Sequence, residues 1–302
     1  MADPAQPAKR IPSIERKLKV LSLDCSHALD QLKAIIASNE VLSKLNLPDT
    51  LLRRSLWAKK MNAKAAETTL EGYCHYHLKL LGNANARLHI WQVHAFLLKD
   101  ILRWQGSKDV DGYGIIHMRW NAYRPQEIPE SYFVRCLVYL LDEVVRRAET
   151  VEDGVKVSFI VDMREWGWEN FSHSFMKTLL NAIDHAIPVS VQKFVLVEPS
   201  EIFTTIVWGM ITPYMTPELA GTFQITNKGS VLKLVDRANL PSSLDGEAPE
   251  YDAIAFIKEQ YRREGFVYTE MDESKAMWGK MTKRKDSNAS SKISSWNEPR
   301  EG

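Results

Sequence analysis

The sequence has few cysteines, little net charge and no unusual share of apolar residues. Its 302 residues contain three cysteines, Cys25, Cys74 and Cys136. They are too few and too scattered for a disulfide framework, and they favour a reducing compartment. The formal net charge of +1 creates no strong field toward nucleic acid or anionic lipid. We therefore expect a cytoplasmic protein that has no nucleic-acid partner.

No segment of the sequence is apolar for long enough to cross a bilayer. Residues Met1–Lys9 are rich in proline and alanine and lack an apolar core, so we expect no signal peptide. The longest apolar run, Ile202–Met215, is interrupted by threonine, glycine and proline. It falls short of the roughly 20 apolar residues that a spanning helix needs. Any contact with membranes is therefore predicted to be peripheral.

The sequence also lacks the motifs of nucleotide-binding, hydrolytic and metal sites. No glycine-rich turn follows a predicted strand, although phosphate binding by backbone N–H groups requires one. No Gly-x-Ser-x-Gly motif is present, and the histidines are not grouped as zinc ligands are. Asp162 ends a predicted strand, where a carboxylate is either catalytic or, more often, holds the next loop. We predict no enzyme activity, no metal and no cofactor.

Helical periodicity dominates the first part of the chain. Apolar residues recur every three or four positions from Ile14 to Ile35, which predicts one long amphipathic helix. Further helices are predicted over Thr50–Lys59 and from an Asn62 N-cap to Gly82. We expect residues 1–12 to be disordered and residues 13–90 to form an all-helical N-terminal lobe.

From about residue 91, predicted strands and helices alternate. The predicted strands are Ile115–Trp120, Val157–Val161, Lys193–Val197 and Thr222–Thr226. The predicted helices are Trp91–Trp104, Pro129–Ala148, Phe171–Ala186, Ser200–Met215, Ser230–Arg237 and Tyr251–Arg263. This alternation is typical of the α/β class, with a mostly parallel sheet and crossover helices. We place this domain at residues 91–265, followed by a largely disordered C-terminal extension, residues 266–302.

The predicted helix at Ile202–Met215 is apolar on more than one side. A helix of this kind is either buried in a core or faces two apolar environments. The sequence alone leaves both interpretations open.

Three segments of the chain carry family-like motifs in a fixed order. They are Thr50–Ala65 with its Leu-Leu-Arg start, the turn Asp111–Ile116, and Lys193–Gly246, which ends in Leu-Pro-Ser-Ser-Leu-Asp-Gly. In order and spacing they resemble the CRAL-TRIO family, which includes retinaldehyde-binding, tocopherol-transfer and phosphatidylinositol/phosphatidylcholine transfer proteins. The resemblance covers residues 50–250.

The resemblance implies a sheet floor, an apolar pocket above it, and the Ile202–Met215 helix as a mobile gate. It implies a non-enzymatic carrier that binds one lipid or other hydrophobic molecule and exchanges it at membrane surfaces. The gate and pocket candidates are Ile202, Phe203, Ile206, Val207, Met210, Ile211, Leu196, Phe159 and Phe223. The candidates for a polar headgroup are His117, Arg119, Tyr123 and Ser158.

Two alternatives stay open at this stage. Side chains alternate across a strand, so the pocket is lined either by Ile115, His117 and Arg119 or by Ile116, Met118 and Trp120. Core packing is an equal alternative for each strand residue.

The chain also lacks two headgroup residues of the phosphoinositide-transfer members. The family's Pro-Glu-Arg motif is Pro188-Val189-Ser190 here, and the Glu of its closing motif is Ser243. Gly221-Thr222 stands where those members have a Lys before the last strand. This departure favours a second hypothesis, a protein-interaction or regulatory module that keeps the fold without lipid transfer. A pocket filled by Trp166, Trp168 or Trp208 would support it, and the sequence identifies no protein partner.

Overall fold

The computed structural model describes residues 12–81, 87–147 and 155–269. Disorder is predicted for residues 1–12 and for most of 266–302; of these, residues 1–11 and 270–302 lie outside the described residues. Within the described ranges, no helix combines the length and the apolarity that a bilayer span requires.

Three helices form the N-terminal region, as the periodicity predicts. They are α1 (Pro12–Ser38), α2 (Asp49–Ala58) and α3 (Ala63–Leu81). The side chain of Asn62 caps α3, since its Oδ1 accepts a hydrogen bond from the backbone N–H of Ala65 at 3.0 Å. The three helices enclose their own apolar cluster, which includes Leu32, Leu56 and Leu70.

A five-stranded, mostly parallel sheet follows, which confirms the predicted α/β class. Its strands are β1 (Leu102–Arg103), β2 (Gly114–Arg119), β3 (Lys156–Asp162), β4 (Ser190–Val197) and β5 (Phe223–Thr226). They lie side by side in chain order, with β1 antiparallel to β2 and every other pair parallel. The remaining helices are α4 (His94–Leu97), α5 (Glu130–Arg147), α6 (His173–His185), α7 (Trp208–Ile211), α8 (Pro217–Ala220), α9 (Lys228–Val231) and α10 (Ala253–Glu264).

The sheet separates two apolar clusters. One face carries Ile116, Phe159 and Leu196, which belong to a large cluster with side chains of α5, α6 and α7. The opposite face carries Ile115 and Ile160 within a smaller cluster that the chain from 231 to 244 completes. Because neighbouring side chains of a strand point to opposite faces, this division assigns every strand residue to one side.

Two of the predicted helices are wrong in extent. Residues 91–104 do not form one helix, because Asp100 adopts a left-handed conformation with φ of 57° and Leu102 and Arg103 pair with β2 as the short strand β1. The helix predicted at Ser230–Arg237 is α9, which begins earlier because the side chain of Asn227 caps it at the Ser230 N–H.

A buried ion pair joins the N-terminal helices to the sheet domain. Arg54 on α2 donates from Nη1 to Oδ1 of Asp142 on α5 at 2.7 Å, and from Nε to the Pro188 carbonyl oxygen at 2.7 Å. The two charged side chains are only 12% and 11% exposed. Removal of one partner would therefore leave the other charge buried without compensation.

We predict that Arg54→Met lowers the free energy of unfolding by about 3 kcal/mol, because the Asp142 carboxylate loses its buried partner. The control is Lys33→Met, which breaks the exposed Lys33–Asp49 pair of 2.9 Å and should cost less than about 1 kcal/mol. Urea unfolding of both variants measures the difference. Equal losses would show that the Arg54 contact does not stabilise the fold.

Candidate functional site

The helical segment after β4 covers one face of the sheet, and we call residues 201–214 the cover segment. It contains a π-helical turn at Phe203–Val207, then α7, then a 3-10 turn at Thr212–Tyr214. A π turn inside a helix is uncommon and is often found at functional sites. The side-chain hydroxyls of Thr204 and Thr205 donate to the Glu201 carbonyl oxygen at 3.1 and 2.7 Å. These hydroxyls are therefore satisfied within the helix and do not need water.

The inner side of the cover segment is fully buried. Phe203, Val207 and Ile211 are spaced four residues apart, so they share one helix face. Each is at most 2% exposed and belongs to the large cluster on the sheet.

The outer side of the same segment is apolar as well, but it faces solvent. Ile202, Ile206 and Met210 are again four residues apart, and they are 37%, 50% and 40% exposed. The segment is therefore not buried on all sides: it is a surface helix with two apolar faces, one of them exposed. In water, the outer face is energetically unfavourable unless it serves a contact.

A ladder of aromatic rings lies beneath the cover segment. Phe159, Phe194 and Phe223 occupy directly opposite positions on β3, β4 and β5. Their ring centroids are 4.6 Å apart at both steps and their planes are nearly parallel. This spacing is close to the distance between neighbouring strands, about 4.8 Å, so the register of the sheet sets the stack.

Two tryptophan rings make contacts at the cover segment, and that of Trp208 reaches the ladder. The Trp208 ring lies 5.2 Å from the Phe223 ring, and the Trp166 ring lies 5.4 Å from the Phe203 ring. Trp166 is buried, whereas Trp168, the third tryptophan of this region, is half-exposed. The cover segment thus rests on the sheet through aromatic contacts.

The predicted gate and pocket residues therefore lie in the cover segment and on the sheet beneath it, and those of the cover segment face either the sheet or solvent. Phe203, Val207 and Ile211 face inward toward Phe159, Leu196 and Phe223, while Ile202, Ile206 and Met210 face outward. On β2, it is Ile116 and Met118 that share the covered face.

The four headgroup candidates do not converge on one site. Tyr123 lies inside the large cluster, where its hydroxyl donates to the Ile128 carbonyl oxygen at 3.4 Å. Ser158 is buried on the opposite face and donates to Asp109 Oδ2 at 2.8 Å. His117 and Arg119 also lie on the opposite face, because they alternate with Ile116 and Met118. A ligand between the cover segment and the sheet cannot contact these last three side chains.

His117 and Arg119 instead line a polar cavity of about 240 Å³. It lies at the carboxyl ends of β2 and β3, below the segment that includes Ser243 and Glu250. Asp162 is in its wall, but Arg164 donates to both carboxylate oxygens at 2.8 and 2.6 Å. Asp162 thus holds the loop after β3. Burial first, and then the charge of Arg103, lower the pKa of His117 to about 4.

Most of the residues that line this cavity were not predicted from the sequence. Arg103, Arg164 and Glu250 come from distant parts of the chain, and no local pattern connects them. The aromatic ladder is visible in the sequence only as one phenylalanine in each of three predicted strands. Across the described parts of the chain, no group of three or more His, Cys, Asp or Glu side chains is placed to hold a metal ion.

Comparisons with known proteins agree with this architecture. Residues 99–246 match the model of the CRAL/TRIO domain. The tyrosine-protein phosphatases non-receptor type 9 of Mus musculus and Homo sapiens are 27% identical over 139 residues, which is 46% of this chain. The match spans only 23% of the length of those phosphatases.

A solved structure shows the same fold. The crystal structure of Sfh5 aligns with 80% of this chain and 98% of its own chain, with a TM-score of 0.52. The sequence identity is 12%, so the likeness concerns the fold.

The lowered pKa of His117 predicts a pH-dependent stability. As the pH falls, the histidine of the unfolded chain binds a proton near pH 6.5, whereas His117 of the folded chain binds one only near pH 4. The stability that the neutral His117 gives to the folded chain is therefore complete above pH 6.5 and is lost as the pH falls toward about 4. In wild type, the free energy of unfolding should fall by about 3 kcal/mol between pH 7 and pH 4 because of this group, and in His117→Gln this part of the fall should be absent. Urea unfolding at both values, with wild type and variant compared, measures it. An identical pH dependence in both chains would contradict the burial of a neutral imidazole.

Proposed function

Because residues 99–246 form a CRAL/TRIO domain, we propose that the chain binds one lipid-sized hydrophobic molecule between the cover segment and the sheet. We further propose that it exchanges this molecule at membrane surfaces without catalysing a reaction. The CRAL/TRIO fold is a lipid-binding fold in general. The observation that carries the proposal for this chain is the cover segment, which is apolar both toward the sheet and toward solvent.

The size of the hydrophobic effect requires an enclosed site. Transfer of one methylene group from water to an apolar site is favourable by about 0.8 kcal/mol. A chain of about sixteen carbons therefore gains roughly 12 kcal/mol only if the site removes all of it from water. A shallow groove leaves much of that surface wet, whereas a site with walls on both sides does not. The aromatic ladder and the inner side chains Phe203, Val207 and Ile211 supply two such walls.

Entry of the ligand requires that the cover segment move away from the ladder. The ring centroids of Trp208 and Phe223 are 5.2 Å apart. This contact must break before the cover segment can leave the ladder. The outward residues Ile202, Ile206 and Met210 give the moving segment an apolar face for the headgroup boundary of a bilayer. Ile225, on the edge strand β5, is 58% exposed. It lies two residues after Phe223 and therefore on the same face of the sheet.

We predict that Ile206→Asp slows lipid transfer between vesicles about tenfold, because the outer face loses roughly 1.5 kcal/mol of apolar contact with the bilayer. The side chain is half-exposed, so the free energy of unfolding should stay unchanged. The matched control is Ile254→Asp on α10, which is also half-exposed and lies outside the cover segment. A fluorescent-lipid transfer assay measures both rates, and equal rates would place the membrane contact elsewhere.

Native mass spectrometry tests the ligand itself. The protein purified from cells should carry one lipid-sized adduct, and the delipidated protein should take up a fluorescent lipid with saturation at one molecule per chain. A chain that is purified empty and takes up no lipid would contradict the proposal.

A second function, a protein-interaction module, is favoured by one observation. Trp166 and Trp208 already contact Phe203 and Phe223 between the cover segment and the sheet. If these rings occupy the lipid space permanently, the outer apolar face serves a protein partner. Failure of lipid uptake in the experiment above would support this function over the carrier.

A further inference from the structure

The polar cavity on the far face of the sheet has the size of a small solute. Its volume is about 240 Å³, below the range of about 300–1,000 Å³ that is typical of pockets for drug-sized ligands. It lies at the carboxyl ends of β2 and β3, where Arg119 and Asp162 are register partners. Open α/β sheets commonly bind ligands at this edge.

Two buried polar atoms of the cavity wall have no protein partner among the described residues. They are Nε2 of His117 and Oδ1 of Asn121. His117 is 94% buried, since its relative exposure is 6%. Buried side-chain polar atoms usually have a hydrogen-bond partner, so two unpartnered atoms on one cavity point to a bound polar group.

The cavity wall has unused hydrogen-bond donors on Arg119. Arg119 uses Nη1 on Asp100 at 2.7 Å, and within the described chain its other N–H groups have no partner. Among the acceptors of the wall, Asp162 accepts from Arg164, and Oε1 of Glu250 accepts from the Ser242 hydroxyl at 2.6 Å and the Ser243 N–H at 3.0 Å. Oδ1 of Asn121 is the acceptor without a partner among the described residues. A guanidinium fork with free donors is suited to a phosphate or carboxylate oxygen pair.

We propose that this cavity binds a small soluble anion that carries a phosphate group, with Arg119 and His117 as its ligands. The neutral imidazole of His117 donates one hydrogen bond, and Arg119 supplies the charge. Arg103 also lines the cavity, where it pairs with Asp100 and its Nη1 lies 4.0 Å from Oε2 of Glu250. The sheet separates this site from the cover segment, so the inference does not depend on the lipid site.

Inorganic phosphate is the probe for this site. In the full chain with ¹³C-labelled histidine, the His117 ring signal should shift with phosphate and saturate with a Kd of about 1 mM or tighter. The pKa of His117 should rise from about 4, because a neighbouring anion stabilises the imidazolium. Sodium chloride at the same ionic strength should produce neither change.

Two variants test whether the phosphate response comes from this cavity. Arg119→Gln should weaken phosphate binding about tenfold or more, because a charge-assisted hydrogen bond is lost; the residue is partly exposed, so the fold is kept. The control Arg237→Gln removes an exposed guanidinium that pairs with Glu247 at 3.7 Å and does not line the cavity. It should leave the affinity unchanged.

Three results would overturn the proposal: a His117 signal that responds equally to chloride and phosphate, an Arg119→Gln affinity equal to that of wild type, or a response to vesicles containing phosphatidic acid but not to inorganic phosphate. The last outcome would assign the phosphate to a lipid headgroup. Absence of a vesicle response, with saturable binding of free phosphate, supports a soluble ligand.

Discussion

The contact between the inner face of the cover segment and the aromatic ladder determines what the rest of this structure can do. Phe203, Val207 and Ile211 are buried against the sheet, and each contributes roughly 1.5–3 kcal/mol by leaving water. Lifting the segment into water would therefore cost about 5–9 kcal/mol. Lifting it into another apolar phase costs far less, because the inner side chains stay out of water and the exposed side chains of Ile206 and Met210 leave it. In the proposed carrier, the same apolar contacts would keep the site closed in solution and allow it to open at a bilayer.

The sheet has a different chemical character on each of its two faces near the end of β2. Alternation along β2 sends Ile116 and Met118 toward the cover segment and His117 and Arg119 toward the polar cavity. The sheet lies between these two sets of side chains. The buried Arg54–Asp142 pair joins the N-terminal helices to the sheet domain, and it takes no part in either face.

Periodicity predicted the helices because helical spacing is a local property. The stripe from Ile14 to Ile35 became α1, and the two-sided pattern of residues 202–215 became a surface helix with two apolar faces. The pattern could not choose between the faces of the sheet, because parallel strands are apolar on both sides: Ile115 and Ile116, or Val195 and Leu196, are equivalent in sequence and lie in different clusters. β1 was missed because it has two residues and its formation depends on the left-handed conformation of Asp100. The polar cavity was missed because Arg103, Arg164 and Glu250 meet only through tertiary structure.

The central claim is that the cover segment leaves the aromatic ladder at a membrane. Spin labels at Ile206→Cys and Ile254→Cys, two exposed positions on the cover segment and on α10, report the distance between them by pulsed electron paramagnetic resonance. The native cysteines that the structure describes are buried, so labelling is directed to the new sites. We predict one narrow distance in solution and a second, longer distance when phospholipid vesicles are added. A distribution that is unchanged by vesicles, in a protein that still transfers lipid, would contradict the account.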